Sequence, residues 1–167
     1  MIILGVDPGL VKTGFSLVDS GKVFYHKTVD GKLAIKQLLK IIQVYHFARA
    51  VVEKPRQSVL YKKHLYGIKN RFVSEALKFK ICMDIGKNIL ISDMIIETLK
   101  DSGIKVKIEN PMAGETKWDT GKWRKAFEYE GRLPSEHARD AAVRALKNEK
   151  WVGWELTQER IDAYFNK

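Results

Sequence analysis

Four side chains of the sequence could bind a divalent cation together. Asp7 ends an apolar run just before a Pro-Gly pair, and Glu53 ends a second apolar run just before a Lys-Pro pair. His137 and Asp140 are three residues apart in an alanine-rich segment, so they share one face if that segment is helical. Carboxylates that lie close together repel strongly unless a cation lies between them. We therefore predict an oxygen-rich site for Mg²⁺ or Mn²⁺.

Such a site is suited to phosphodiester hydrolysis. Two divalent ions about 4 Å apart activate water and stabilise the leaving oxygen of the phosphodiester. Each residue also has a structural interpretation: Asp7 could cap a turn, Glu53 could end a surface strand, and His137 and Asp140 could suit the first turn of a helix. The coincidence of all four in a strongly basic chain favours the catalytic interpretation.

The charge of the chain indicates a polyanionic partner. The sequence has 30 Lys and Arg residues against 20 Asp and Glu residues, which gives a formal net charge of +10. Segment 56–80 is the most basic part, and aromatic residues alternate with its cations. Cations neutralise phosphates and aromatic rings stack on exposed bases, although the same pattern would also suit a solvated helix with its aromatic residues in the core. The DNA-binding residues predicted here are Arg56, Tyr61, Lys62, Lys63, Lys69 and Arg71.

Composition excludes several other classes of protein. No apolar run approaches the ~20 residues of a membrane span, and the N-terminus does not have the pattern of a signal peptide. Cys82 is the only cysteine, so the chain cannot form an internal disulfide, and its apolar neighbours predict a small buried hydrophobic side chain. These features predict a cytoplasmic protein without a membrane partner.

The elements that would position the four residues are those of an α/β domain. Short apolar runs bounded by Gly and Pro predict strands, and apolar residues at a period near 3.6 predict helices. The predicted strands are residues 2–7, 13–18, 23–29, 48–53 and 104–109. The predicted helices are residues 32–45, 81–99, 122–129 and 136–146, and the tail 151–167 is predicted to be a short docking helix. The first three strands would form an antiparallel meander within a mixed sheet.

The order of these motifs resembles that of RuvC-type Holliday junction resolvases, which are ribonuclease H-like nucleases. The resemblance rests on residues 3–9 (ILGVDPG) followed by 13–15 (TGF), on 51–53 (VVE), and on 136–142 (EHARDAA). It implies a ribonuclease H-like domain over residues 1–150, with a mixed five-stranded sheet flanked by helices and with residues 151–167 as its docking tail.

The resemblance also implies an activity. The family consists of Mg²⁺-dependent endodeoxyribonucleases, and a member would bind two ions per active site. Such enzymes act as homodimers, which resolve four-way DNA junctions by paired symmetric incisions, and the dimer would pack around Gly86. By this resemblance Asp7, Glu53 and Asp140 are metal-binding carboxylates. His137 is the fourth ligand, with Glu136 as the alternative, and Lys117 and Lys122 lie near the scissile phosphate.

Two features depart from the family pattern. The family usually has an aromatic residue a few positions after the second acid, whereas Tyr61 is the nearest one to Glu53 here. The basic segment is also longer than in the bacterial enzymes. Both features suit a phage-type or divergent member, in a bacterial or phage-infected cell, with a broader choice of branched DNA. The alternative is a ribonuclease H-like nuclease that acts on flaps, other branched DNA or RNA–DNA hybrids.

Overall fold

The sheet has five strands and a mixed direction, as predicted. The computed structural model describes residues 1–54, 74–111 and 118–149. The strands are β1 (Ile3–Asp7), β2 (Lys12–Asp19), β3 (Lys22–Asp30), β4 (Arg49–Glu53) and β5 (Lys105–Glu109). Their order across the sheet is β3-β2-β1-β4-β5. β2 is antiparallel to both β1 and β3, whereas β4 is parallel to both β1 and β5. Strand β1 is therefore central, and all five of its residues are buried.

Helices cover both faces of this sheet, which is why β1 is an uninterrupted apolar run and not an alternating one. After a short 3-10 turn (Gly31–Leu33), the helices are α1 (Ala34–Val44), α2 (Glu75–Asp101), α3 (Thr120–Phe127) and α4 (Glu136–Glu149). Leu38 of α1 and Ile95 of α2 belong to one apolar cluster, and Trp123 of α3 and Leu146 of α4 belong to the other. Within the described ranges, no helix is long and apolar enough to cross a membrane.

The N-termini of α2 and α3 differ from the prediction because polar caps determine them. Helix α2 begins at residue 75 and not at residue 81, because the Ser74 hydroxyl accepts a hydrogen bond from the Leu77 N–H at 3.3 Å. Helix α3 begins at residue 120, because the Asp119 carboxylate accepts one from the Lys122 N–H at 2.9 Å. The prediction for Cys82 was also wrong, since its side chain is half-buried on α2 and not enclosed in the core.

Helix α4 lies unusually close to the sheet. A Cβ atom at Gly5 of β1 would lie 1.8 Å from the backbone oxygen of Ala141, and one at Gly14 of β2 would lie 2.3 Å from that of His137. Only glycine permits this approach, and the alanines on the facing side of α4 complement it. The contact places the N-terminal half of α4 directly over the ends of β1 and β2.

One buried acid predicts a pH dependence of stability. The Glu149 side chain is 5 % exposed at the end of α4, and its Oε2 accepts a hydrogen bond from the Gly21 N–H at 2.9 Å. Burial raises the pKa of Glu149. The folded state therefore retains the proton to a higher pH than the unfolded chain does, and stability falls as the pH rises above ~4.3 and through the folded-state pKa.

We therefore expect Glu149→Gln to raise the melting temperature at pH 7 by a few degrees, because the neutral amide still accepts the Gly21 hydrogen bond. The difference from the wild-type chain should disappear near pH 4, where Glu149 is protonated in both states. Thermal unfolding followed by circular dichroism at both pH values measures this. If the difference in melting temperature between Glu149→Gln and the wild-type chain were the same at pH 7 as at pH 4, a raised pKa for Glu149 would be contradicted.

Candidate metal centre

Asp7 and His137 are in direct contact beneath the first turn of α4. The Asp7 side chain is 12 % exposed at the end of β1, and its Oδ2 lies 2.7 Å from Nδ1 of His137, whose side chain is 44 % exposed. This hydrogen bond is the main reason that the pKa of His137 is raised, and the charges of Asp7, Asp140 and Glu136 add to it against an opposing effect of burial. Asp140 therefore acts on the same imidazole, as the three-residue spacing predicted.

Three hydrogen bonds fix the first turns of α4 in this position. The Ser135 hydroxyl caps the helix by accepting one from the Ala138 N–H at 3.3 Å. The Ser16 hydroxyl of β2 donates to the Ala138 carbonyl at 2.6 Å, and the Trp123 indole N–H of α3 donates to the Arg139 carbonyl at 3.2 Å. The ring of His137 is therefore presented to Asp7 by a helix that is anchored on both sides.

Glu53 ends the strand beside β1, on the same edge of the sheet. The parallel register pairs Val6 with Val52, so Asp7 and Glu53, the next residue of each strand, lie at the ends of two neighbouring strands. The carboxylate of Glu53 forms an ion pair with the guanidinium of Arg144 on α4, a partner that the sequence did not predict.

Sequence reasoning missed two charged residues of this edge. Glu109 ends β5 in register with Glu53, and its Oε2 lies 3.7 Å from Nη1 of Arg144. The Asn148 amide donates to Glu109 Oε1 at 2.9 Å, and the Lys107 ammonium lies 3.4 Å from the same oxygen. Glu109 could have been found from its position, because it ends an apolar-alternating strand just before Asn-Pro, as the two predicted acids end theirs. Arg144 follows Asp140 by four residues, which places it on the same helix face.

The charged and metal-ligating side chains at this edge form two adjacent groups. Asp7, His137 and Asp140 form one, and Glu53, Arg144 and Glu109 form the other. Burial lowers the pKa of Arg144 while the Asp7 charge raises it, so the two groups interact electrostatically. In the part of the chain that the structure describes, no three His, Cys, Asp or Glu side chains already form a metal-binding cluster. By chemical type the first group suits Mg²⁺ or Mn²⁺.

Of the predicted DNA-binding residues, the structure describes only Lys122. This lysine is exposed in the first turn of α3. Glu136, the alternative ligand, is exposed at the start of α4 and acts on His137 through its charge. The other predicted contacts lie outside the described residues, as does the tail 151–167: they are Arg56, Tyr61, Lys62, Lys63, Lys69, Arg71 and Lys117.

Comparison with solved structures identifies the fold. The chain is similar to RuvC from Thermus thermophilus, both in complex with a Holliday junction substrate (TM-score 0.56) and in a second RuvC structure (TM-score 0.53). The fold is RuvC-like. Identity is 15 % in both comparisons, which cover 92 % of this chain and 96 % of the other. No protein-family model matches the sequence, and no curated protein matches it significantly. The RuvC-like fold confirms the predicted ribonuclease H-like architecture.

Proposed function

We propose that this protein is a divalent-cation-dependent endonuclease that resolves four-way DNA junctions. The observation that carries the proposal is the contact between Asp7 and His137 at the edge of a RuvC-like sheet, with Asp140 on the same helix and Glu53 at the neighbouring strand end. Buried acids are costly to keep together without a cation, and this edge concentrates them where strand ends meet.

The candidate centre consists of Asp7, Glu53, His137 and Asp140, and Mg²⁺ or Mn²⁺ is the proposed cofactor. A divalent ion bound there supplies Lewis-acid activation of the scissile phosphate and of the attacking water. Asp7 orients the His137 ring through Nδ1, which leaves Nε2 as the ring atom able to bind a ligand or a proton. The exposed Lys122, with Lys117 from the adjoining segment, is proposed to neutralise the phosphate.

The substrate is proposed from charge and from the fold. A net charge of +10 favours DNA, and the cations of segment 56–80 would contact the backbone while Tyr61 stacks on an unpaired base. RuvC in one of the similar structures is bound to a Holliday junction. We extend that substrate to this chain, with the 15 % identity and the long basic segment supporting a divergent, phage-type member with a broader choice of branched DNA.

The proposed enzyme is a homodimer that packs through α2. This helix presents an exposed apolar stripe at helical spacing, formed by Phe79, Met83, Leu90 and Met94. Gly86 lies in the middle of the stripe, and among the described residues nothing lies within 4 Å of a Cβ atom built there. A second copy could therefore approach α2 closely. Two symmetric active sites match the two equivalent strands that a junction presents.

Two further features belong to the proposal. Residues 1–150 are proposed to be the nuclease domain, with 151–167 as a tail that docks on it. The protein would act in the cytoplasm of a bacterial or phage-infected cell, where its DNA substrates are found.

A substrate panel tests the proposed function. The full chain is incubated with a four-way junction, a flap, a linear duplex and an RNA–DNA hybrid, each in Mg²⁺ and in EDTA. We expect paired symmetric nicks in the junction in Mg²⁺ only. Cutting confined to the hybrid or to the flap would instead support the alternative nuclease, and equal cutting in EDTA would refute the metal requirement.

A further inference from the structure

We propose that Arg144 is a permanent positive charge of the candidate centre and stands in place of a second divalent ion, so that each site binds one ion. The inference rests on the proposed function and deepens it. It replaces the two-ion expectation that the family resemblance implied.

Three acids form a row across neighbouring strands. Asp7 of β1, Glu53 of β4 and Glu109 of β5 end parallel strands whose registers place them side by side. In parallel strands, residues in register point to the same face, and α4 covers this face. Without positive charge between them, adjacent carboxylates at this edge would repel each other.

Arg144 supplies that charge from α4 to two of the three acids. Its guanidinium pairs with Glu53, lies 3.7 Å from Glu109, and donates from Nη1 to the Asn110 carbonyl at 3.5 Å. The residue is 3 % exposed. An arginine does not lose its proton in a protein, and its planar fork suits two carboxylates at once, so this charge is fixed.

The ion pairs of Arg144 leave the part of the site around Asp7 and His137 for a divalent ion. Oε2 of Glu53 pairs with Arg144, and Oε1 of Glu109 is shared by Asn148 and Lys107. Asp7 is instead paired with an imidazole, which is itself a metal ligand. One divalent ion is therefore proposed at Asp7, His137 and Asp140, whereas a second ion at Glu53 and Glu109 would have to displace a buried arginine.

Direct counting of bound Mn²⁺ tests the inference, through electron paramagnetic resonance of free Mn²⁺ against increasing concentrations of the full chain. We expect one ion per protomer for the wild-type chain. Arg144→Gln should bind a second ion, because Glu53 and Glu109 lose their counter-ion, while the matched control Arg144→Lys keeps the charge and should bind one. Circular dichroism shows whether each variant is folded.

A second pair of variants keeps the inference testable if Arg144→Gln does not fold. Asp7→Asn should weaken Mn²⁺ binding by at least about tenfold, and Glu109→Gln should leave the affinity unchanged, because Glu109 faces Arg144, Asn148 and Lys107 and is not a proposed ligand. Two ions on the wild-type chain, or an equal loss in both variants, would overturn the inference and leave a metal-dependent nuclease intact. No Mn²⁺ binding together with no cleavage in the substrate panel would overturn the proposed function as well.

Discussion

Replacing Asp7 with asparagine is expected to reduce junction cleavage in Mg²⁺ by on the order of 10³-fold, because several kcal/mol of transition-state stabilisation depend on a charged metal ligand. Asp7 is the buried acid on the central strand, and it is the one that contacts His137. Asparagine has almost the same shape and can still accept a hydrogen bond from His137. The loss should therefore come from the missing charge and not from a disturbed fold.

The measurement separates cleavage from binding. Single-turnover cleavage of a labelled junction gives the rate, and a gel-shift titration of the same junction in EDTA gives the affinity. Affinity should be unchanged, because the proposed DNA contacts are Lys and Arg residues whose charges this substitution does not alter. The control is Asp19→Asn, since Asp19 also ends a strand, at the opposite edge of the sheet, where its carboxylate pairs with the N-terminal ammonium of Met1. Cleavage by Asp7→Asn at the wild-type rate would refute the metal centre.

The features that the sequence predicted best are those that local patterns determine. Apolar runs bounded by Gly and Pro identified all five strands, and the acids Asp7 and Glu53 followed directly from the ends of two of them. The proximity of Asp7 and Glu53 required in addition that their two strands be neighbours, and the parallel pairing of β1 with β4 meets this condition. The face shared by His137 and Asp140 followed from helical periodicity. The strands, their terminal acids and the shared helix face therefore follow from residues that are close together in the sequence.

The features that the sequence could not predict depend on distances between elements. Arg144 was identifiable as a residue on the face of Asp140, but its pairing with Glu53 depends on how closely α4 approaches the sheet. Glu109 joins the acid row only because β5 pairs with β4, although residues 54–104 lie between the two strands in the chain. Neither partner could therefore be found by considering the motifs one at a time.

The expected effect of Gly5→Ala follows from that close approach. A methyl group at Gly5 would overlap the backbone oxygen of Ala141, at 1.8 Å, so α4 would have to move away from β1. The Ala141 backbone cannot move aside as a flexible side chain can. We therefore expect a loss of at least about 3 kcal/mol in the free energy of unfolding. Urea unfolding followed by circular dichroism measures it.

Gly121→Ala provides the matched control for this substitution. Gly121 lies in the first turn of α3, where a methyl group would meet only Oδ1 of Asp119, at 3.2 Å and at the end of a side chain. Helix propensity favours alanine there, so the free energy of unfolding should change by no more than about 1 kcal/mol. Similar stabilities for the two variants would contradict the tight contact between α4 and β1. Where Gly5→Ala remains folded, the displaced α4 carries His137, Asp140 and Arg144 with it, so Mn²⁺ binding should weaken as well. Gly5, which carries no charge and binds no ion, is therefore expected to affect the proposed centre through the position of α4.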